Sequence, residues 1–398
     1  MKIRYALTGA TGLVGSHLLW EILQQRVTDL ESTQIFILGR GSKTQSLHAR
    51  IKLLLQEGGL TYISLNKDIQ QKILKAFDSI CFFVDFDLTD DRQRLPRRVM
   101  FELTRAPIDF FYHVGANTDL RDGGVVEASL LRTNVSGTQN ILKLISMLKI
   151  GIFSYVGTAY ACGDVSGVVY PDNVSIEQTF RNPYEKTKII AEVMVREYAI
   201  RNKVKIKCFR PSVVGGRLLE KPIGYVNKFD VFYGWAAFFL ALKQKVVDNR
   251  ANLYEKQIDL DMRICYSHNS GLNIVPVDFV AKALYILTVE QHRGESYHLV
   301  AKNELKHREY IAAILNAVNV GGVRRVSRMP YNLNHRELLY YRTAGKILTP
   351  YITRAPMYFS VENYESFISK HGLEVPCMDT IKFVSLLEFA KQSHFGIQ

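Results

Sequence analysis

Tyr184 and Lys188 stand four residues apart in PYEKTK (183–188), at the head of a segment whose pattern stays helical to about residue 200. Residues at i and i+4 share one face of a helix. A phenol ordinarily titrates near pH ~10 and handles protons poorly at neutral pH until a cation stabilises its ionised form. Lys188 is placed to supply that charge, and its ammonium can also hold the ribose next to a nicotinamide. The same spacing occurs on ordinary exposed helix faces, so the pair gains meaning only from a third residue. That residue is Thr158 in YVGTAYACG (155–163), where an apolar run ends. A hydroxyl there can bond a carbonyl oxygen as it gains negative charge. The three residues together describe a carbonyl-reducing site: Thr158 orients, Tyr184 donates a proton, Lys188 assists, and a cofactor supplies hydride. No metal is required.

Such a cofactor needs a phosphate cradle, and YALTGATGLVGSHLL (5–19) offers one. Gly9, Gly12 and Gly15 recur every third residue behind an apolar run and ahead of a helical pattern, the context in which a glycine triplet binds a dinucleotide. Gly9 can take a backbone conformation closed to other residues, and Gly12 lets a pyrophosphate approach without a Cβ in the way. Gly15 allows the helix to lie close on the sheet. The amides of Thr11, Gly12, Leu13 and Val14 are expected to face phosphate at the positive end of that helix.

The next apolar run ends in QIFILGRGSK, with Gly39 and Arg40 where an NAD site usually carries an acid for the ribose 2′-hydroxyl. A guanidinium can grip a 2′-phosphate with paired charge-assisted bonds. NADP(H) is therefore expected, with Arg40 as the reader and Ser42 and Lys43 as weaker helpers. Asp87 and Leu88, at the end of the third run, are placed to cover the adenine ring.

These groups need a scaffold that brings several strand ends together. The runs 2–9, 34–39, 79–87, 109–115, 151–157 and 204–211 alternate with amphipathic segments such as 17–25 and 135–149. That alternation predicts an α/β fold built on a doubly wound parallel sheet. A further strand at 273–277, a helix at 278–287 and a strand at 296–300 return to the pattern. Residues 216–270 and 302–398 break it, being aromatic-rich and mostly helical by pattern. They are read as a smaller substrate lobe beside a cofactor domain of residues 1–215 with 271–301.

Composition narrows the class. The 398 residues are 47% hydrophobic and 22% charged, an ordinary globular balance. Five scattered cysteines without a CxxC pair argue against a zinc site or a disulfide framework and fit the cytoplasm. The start MKIRYALTGATG lacks the apolar core of a secretory signal, and the most apolar run, 232–243, is too short to span a bilayer. It reads as a buried helix, with peripheral membrane contact as the alternative. The net charge of +13, from 51 basic and 38 acidic residues, is spread without a nucleic-acid-binding signature and suits a phosphate-rich partner.

With these motifs in view, the chain resembles the extended short-chain dehydrogenase/reductases, which are Rossmann-fold oxidoreductases. The matches are TGATGLVG (8–15), DLTD (87–90), HVGANTD (113–119), NVSGT (134–138), VGTAY (156–160), YEKTK (184–188), RPSVVGG (210–216) and NIVPVDFVAKAL (273–284), in the family's order. Within the family, RGSK, HVGANTDL, NPYEKTKIIAE and YHLV (297–300) look most like the thioester-reductase and fatty-acyl-CoA-reductase branch, the male-sterility domains. The resemblance implies Thr158, Tyr184 and Lys188 as the catalytic set, with Gly115 beside the cofactor and Pro211 near the nicotinamide. It also implies NADPH-dependent reduction of an acyl thioester, on coenzyme A or an acyl carrier protein, to an aldehyde or onward to an alcohol. GTAY replaces the commoner serine-threonine pair, Gly115 stands where alanine is usual, and residues 302–398 match no family extension. Two other readings use the same residues: a dehydrogenase or epimerase acting on a sugar nucleotide or polycyclic alcohol, and a non-catalytic NADPH-binding sensor. The first is disfavoured by Arg40, and the second by an intact proton donor.

Overall fold

Runs such as IRYALT and TQIFILG have too few polar residues to face water on either side, and both faces of the resulting strands are covered. In a computed structural model, which describes residues 2–92, 94–247 and 253–397, they form β1 (Ile3–Thr8), β2 (Thr33–Gly39), β3 (Cys81–Asp85), β4 (Ile108–His113), β5 (Ile150–Val156), β6 (Lys205–Pro211) and β7 (Ser296–Leu299). These seven strands pair in parallel in the order β7-β6-β5-β4-β1-β2-β3. The order reverses direction between β1 and β4, and an open α/β sheet binds its ligand at such a switch point, outside the carboxyl ends of the strands.

Alternation along each strand feeds two cores. Tyr5, Leu7, Ile35 and Ile37 pack with helix α1 (Leu13–Gln25) and the helix Val277–Val289 on one face. Ala6, Phe36 and Leu38 pack on the other with the helix Gly137–Ile145 and the long helix Pro183–Asn202, here α2. Asn182 caps α2 by accepting from the Glu185 amide at 3.0 Å, and Pro183 occupies its first turn, where a missing N–H costs nothing. The carboxyl end of β5 and the first turn of α2 are thereby fixed beside each other.

A third core is built mainly from the remainder of the chain. Trp235, Phe239, Leu260, Met262, Ile311, Tyr340 and Leu386 are buried together in it. The helices Phe232–Gln244, His307–Ala317, His335–Arg342 and Thr380–Gln392 contribute to it, and so do two strands. Here the structure corrects the expectation from sequence: Ile258–Cys265 is an eight-residue strand inside a region read as mostly helical, paired in parallel with Val320–Val326. Its alternating burial is the period-two signal that IDLDMRIC carries. The expected strand at 273–277 shortens to Ile274–Pro276 and pairs with Val213–Gly215 outside the main sheet. Among the described residues, no helix is long and apolar enough to cross a membrane.

Candidate active site

The register of β1 against β4 sets Thr8 beside His113 at the switch point. Their side chains meet at 2.8 Å (Thr8 Oγ1 to His113 Nδ1), and His113 Nε2 lies 3.1 Å from Thr138 Oγ1. Burial, with the Lys188 charge nearby, keeps the imidazole neutral by pushing its pKa down to about 3. Thr8 Oγ1 also accepts the Val114 and Gly115 amides at 3.2 and 3.1 Å, tying the loop after β4 to the glycine turn.

That turn has no room to spare. Gly9 has φ +77°, and a Cβ there would come within 2.6 Å of the Gly115 amide nitrogen. A Cβ on Gly15 would sit 2.1 Å from the Gly9 carbonyl oxygen, so this glycine is what lets α1 begin against the strand end. Gly12 differs: its Cβ would meet only the Gly9 oxygen, at an ordinary 3.4 Å, and the residue lines the cleft. The position is open to a ligand rather than filled by protein, so the residues present fit a pyrophosphate. One expectation changes, because the Gly12 amide donates to the Gly9 carbonyl at 2.9 Å. That leaves the amides of Thr11, Leu13 and Val14 as the ones to be proposed for an anion.

A cleft of about 1030 Å³ runs from this turn across the strand ends. Gly9, Thr11, Gly12, Leu13 and Val14 line it, as do Arg40, Asp87, Leu88, Gly115 and Pro211. Thr158, Tyr184 and Lys188 line the same space. Ser42 and Lys43 do not line it; Ser42 Oγ instead accepts the Gln45 amide at 3.0 Å and shapes the loop after β2.

Arg40 Nη1 lies 3.0 Å from Asp87 Oδ2, with 67% of the arginine side chain exposed. A pair this exposed contributes little, about 1 kcal/mol at most, so an incoming anion can compete for the guanidinium. Burial pushes the Asp87 carboxyl up, but the Thr89 amide and hydroxyl and Arg40 outweigh it and leave the group below its ordinary value. Arg50, not singled out from the sequence, also lines the cleft and donates to the Arg40 carbonyl at 3.0 Å. Its position one turn into the helix after β2 is a signal that spacing could have given.

The trio shares the cleft with the glycine turn. Thr158 is buried, accepts the Tyr160 amide at 3.3 Å and donates to the Pro211 carbonyl at 3.4 Å. Burial pushes the Tyr184 hydroxyl above its ordinary value, and a hydrogen bond with the Thr158 side chain pulls in the other direction. Lys188 is 3% exposed and donates from Nζ to the Val156 carbonyl at 2.7 Å. Burial lowers it from 10.5 to about 7, against the opposing pull of Glu192 one turn later. Glu192 is held on both oxygens by Arg210 at 2.9 Å and by Arg196 at 2.6 Å. Asn134 ties the elements together, donating to the Asn117 carbonyl at 3.0 Å and to Thr187 Oγ1 at 3.1 Å.

The lining also includes apolar and aromatic residues, Phe232, Trp235, Leu348 and Ile352 among them, beside the charged Lys228 and Asp230. The segment 232–243 thus serves two ends, since Phe239 and Leu240 are core while Phe232 and Trp235 also border the cleft.

A parallel sheet with this strand order, a glycine turn at its switch point and a half-buried tyrosine with a buried lysine one helical turn on define a nicotinamide-dependent oxidoreductase fold. Residues 7–284 match the NAD-binding family model described as male sterility protein, and the chain belongs to that family, a branch of the extended short-chain dehydrogenase/reductases. It is 27% identical over 316 residues to a linear gramicidin synthase of Brevibacillus parabrevis, spanning 78% of this chain and 5% of that one. It is 22% identical over 301 residues to a carboxylic acid reductase of Segniliparus rugosus, spanning 73% of this chain and 23% of that one. The chain thus spans less than a quarter of the length of either curated relative. In fold it is similar to the terminal R domain from the myxalamid PKS-NRPS biosynthetic pathway, with a TM-score of 0.69 and 22% identity over 99% of this chain and 92% of that one. The chain is an oxidoreductase that uses a nicotinamide cofactor.

Proposed function

We propose that the protein reduces an acyl thioester to an aldehyde with NADPH. The observation that carries this reading is one cleft lined by the glycine turn, the Thr158-Tyr184-Lys188 group and apolar and aromatic side chains, Phe232, Trp235, Leu348 and Ile352, that suit an acyl chain. A curated relative named as a carboxylic acid reductase and a similar fold named as a terminal R domain support the same chemistry. The acyl donor is coenzyme A or a carrier protein, whose phosphates and acidic surface suit a chain of net charge +13.

A bound nicotinamide supplies hydride to the carbonyl carbon. Tyr184 gives its hydroxyl proton to the carbonyl oxygen, and Thr158 orients that oxygen. Lys188 leaves the Val156 carbonyl to hold the ribose and offset charge on the phenolate. The hemithioacetal then collapses: the carbon–sulfur bond breaks, and aldehyde and thiol leave. One thioester, one NADPH and one proton give one aldehyde, one thiol and NADP+. A second round on the aldehyde would give the alcohol.

The test is NADPH oxidation across a panel of acyl-CoA thioesters, with the aldehyde trapped and identified. Consumption with thioesters is expected; turnover of a sugar nucleotide with none of the thioesters would reject the reading in favour of the dehydrogenase or epimerase alternative.

Arg40 and Arg50 are the groups proposed to read the 2′-phosphate. A hydrogen bond to a charged group contributes about 1.5–3 kcal/mol, so Arg40→Glu should cut the preference for NADPH over NADH by about tenfold or more. The ratio of the two dissociation constants measures this, and an unchanged ratio would move the role to Arg50 alone.

The Lys188 amine predicts a pH dependence. Its folded value is depressed to about 7, so the cation that holds the ribose is present below pH 7 and lost above it. Glu192, His113 and Tyr155 are titratable groups around it. Affinity for NADPH should fall as pH rises through about 7 to 8, and the inflection should vanish in Lys188→Met. A flat titration in the unsubstituted protein would contradict the assignment.

A further inference from the structure

Lys188 is held by more than the Val156 carbonyl. Tyr155, three residues before Thr158 on β5, touches it at both ends. The Tyr155 hydroxyl donates to the Lys188 main-chain carbonyl at 3.1 Å, and Lys188 Nζ lies 4.6 Å from the centre of the Tyr155 ring. The tyrosine is itself packed on several sides. It is 1% exposed, and its ring lies 5.9 Å from that of His113.

We infer that Tyr155 is the positioning residue for Lys188: its hydroxyl fixes the helix backbone there, and its ring face carries the ammonium while the amine moves between the Val156 carbonyl and a cofactor. The physical need is plain. A buried ammonium has lost its water, the carbonyl of Val156 satisfies one of its three donors, and an aromatic face stabilises a desolvated cation without competing for those donors. A ring also permits a short swing, because attraction to its face is less directional than a hydrogen bond. The inference rests on the reading of Lys188 as the ribose-holding group, and its tests do not need thioester turnover.

Two measurements decide it. In the cofactor-free protein labelled with 13C-lysine, the Lys188 ε-methylene signal, assigned by its loss in Lys188→Arg, should lie upfield of the other lysines through the ring current. It should stay upfield in Tyr155→Phe and return to the common range in Tyr155→Leu. In NADPH titrations, Tyr155→Leu should weaken binding about tenfold and Tyr155→Phe about twofold, and the effect of Tyr155→Leu should disappear in a Lys188→Met background. An unshifted Lys188 signal in the unsubstituted protein, or an equal loss of affinity with and without Lys188, would overturn the inference. Should Tyr155→Leu fail to fold, the unsubstituted and Tyr155→Phe spectra still decide. Normal NADPH binding with no thioester consumed would instead count against the proposed reaction while leaving this seat intact.

Discussion

Tyr184→Phe should lower kcat for thioester reduction by roughly 10²–10⁴-fold, the usual contribution of a positioned proton donor, while NADPH binds within about threefold of the parent. The substitution removes one oxygen and keeps the ring that borders the cleft, so packing is conserved. The partners make the expectation specific. The phenol is protonated at neutral pH, and burial raises it further above its ordinary value, so it enters the reaction as an acid, with Thr158 the group hydrogen-bonded to it. Steady-state rates and a fluorescence titration separate the two effects. A variant that keeps its rate would remove Tyr184 from the chemistry, and one that loses NADPH affinity in proportion would make it a binding residue.

The glycine turn gives the second large effect, and here two neighbouring glycines should part company. Gly15→Ala puts a Cβ 2.1 Å from the Gly9 carbonyl oxygen, a main-chain atom that cannot step aside. The expected loss is on the order of 3 kcal/mol or more, seen as a lowered Tm or failure to fold. Gly12→Ala meets the same oxygen at 3.4 Å and has φ −88°, which any residue adopts. Its stability should change by no more than about 1 kcal/mol, yet dinucleotide affinity should fall by about tenfold or more. The methyl would project into the cleft where the pyrophosphate is proposed to lie. Equal stability loss in both variants, or unchanged cofactor affinity in Gly12→Ala, would contradict this picture of the cradle.

The parts of this site visible in the sequence are those whose signal is local. Three glycines between a strand and a helix, a tyrosine and a lysine one turn apart, and a threonine at a strand end each announce themselves within a dozen residues. The strands of the main sheet are legible for the same reason, since being covered on both faces makes them short and continuously apolar. What stays hidden depends on partners far away in the chain. Arg40 meets Asp87, 47 residues on, and Thr8 meets His113, 105 residues on, only because β1, β2, β3 and β4 share one sheet. The seat of Lys188 on Tyr155 and Val156 joins residues 33 and 32 apart through the contact of α2 with β5. The strand Ile258–Cys265 escapes a reading by sequence because its period-two pattern sits among aromatic residues that also suit a helix, and its partner strand lies beyond an intervening segment.

Whether hydride and proton meet a thioester carbonyl in this cleft can be decided by a single-turnover reaction of the protein with an acyl-CoA and NADPH deuterated on the transferred position of its nicotinamide. The expected product is an aldehyde carrying deuterium at its carbonyl carbon, with one thiol released for each NADPH oxidised. Thiol released without deuterium in the product, or NADPH left intact beside every thioester offered, would refute the proposed reaction.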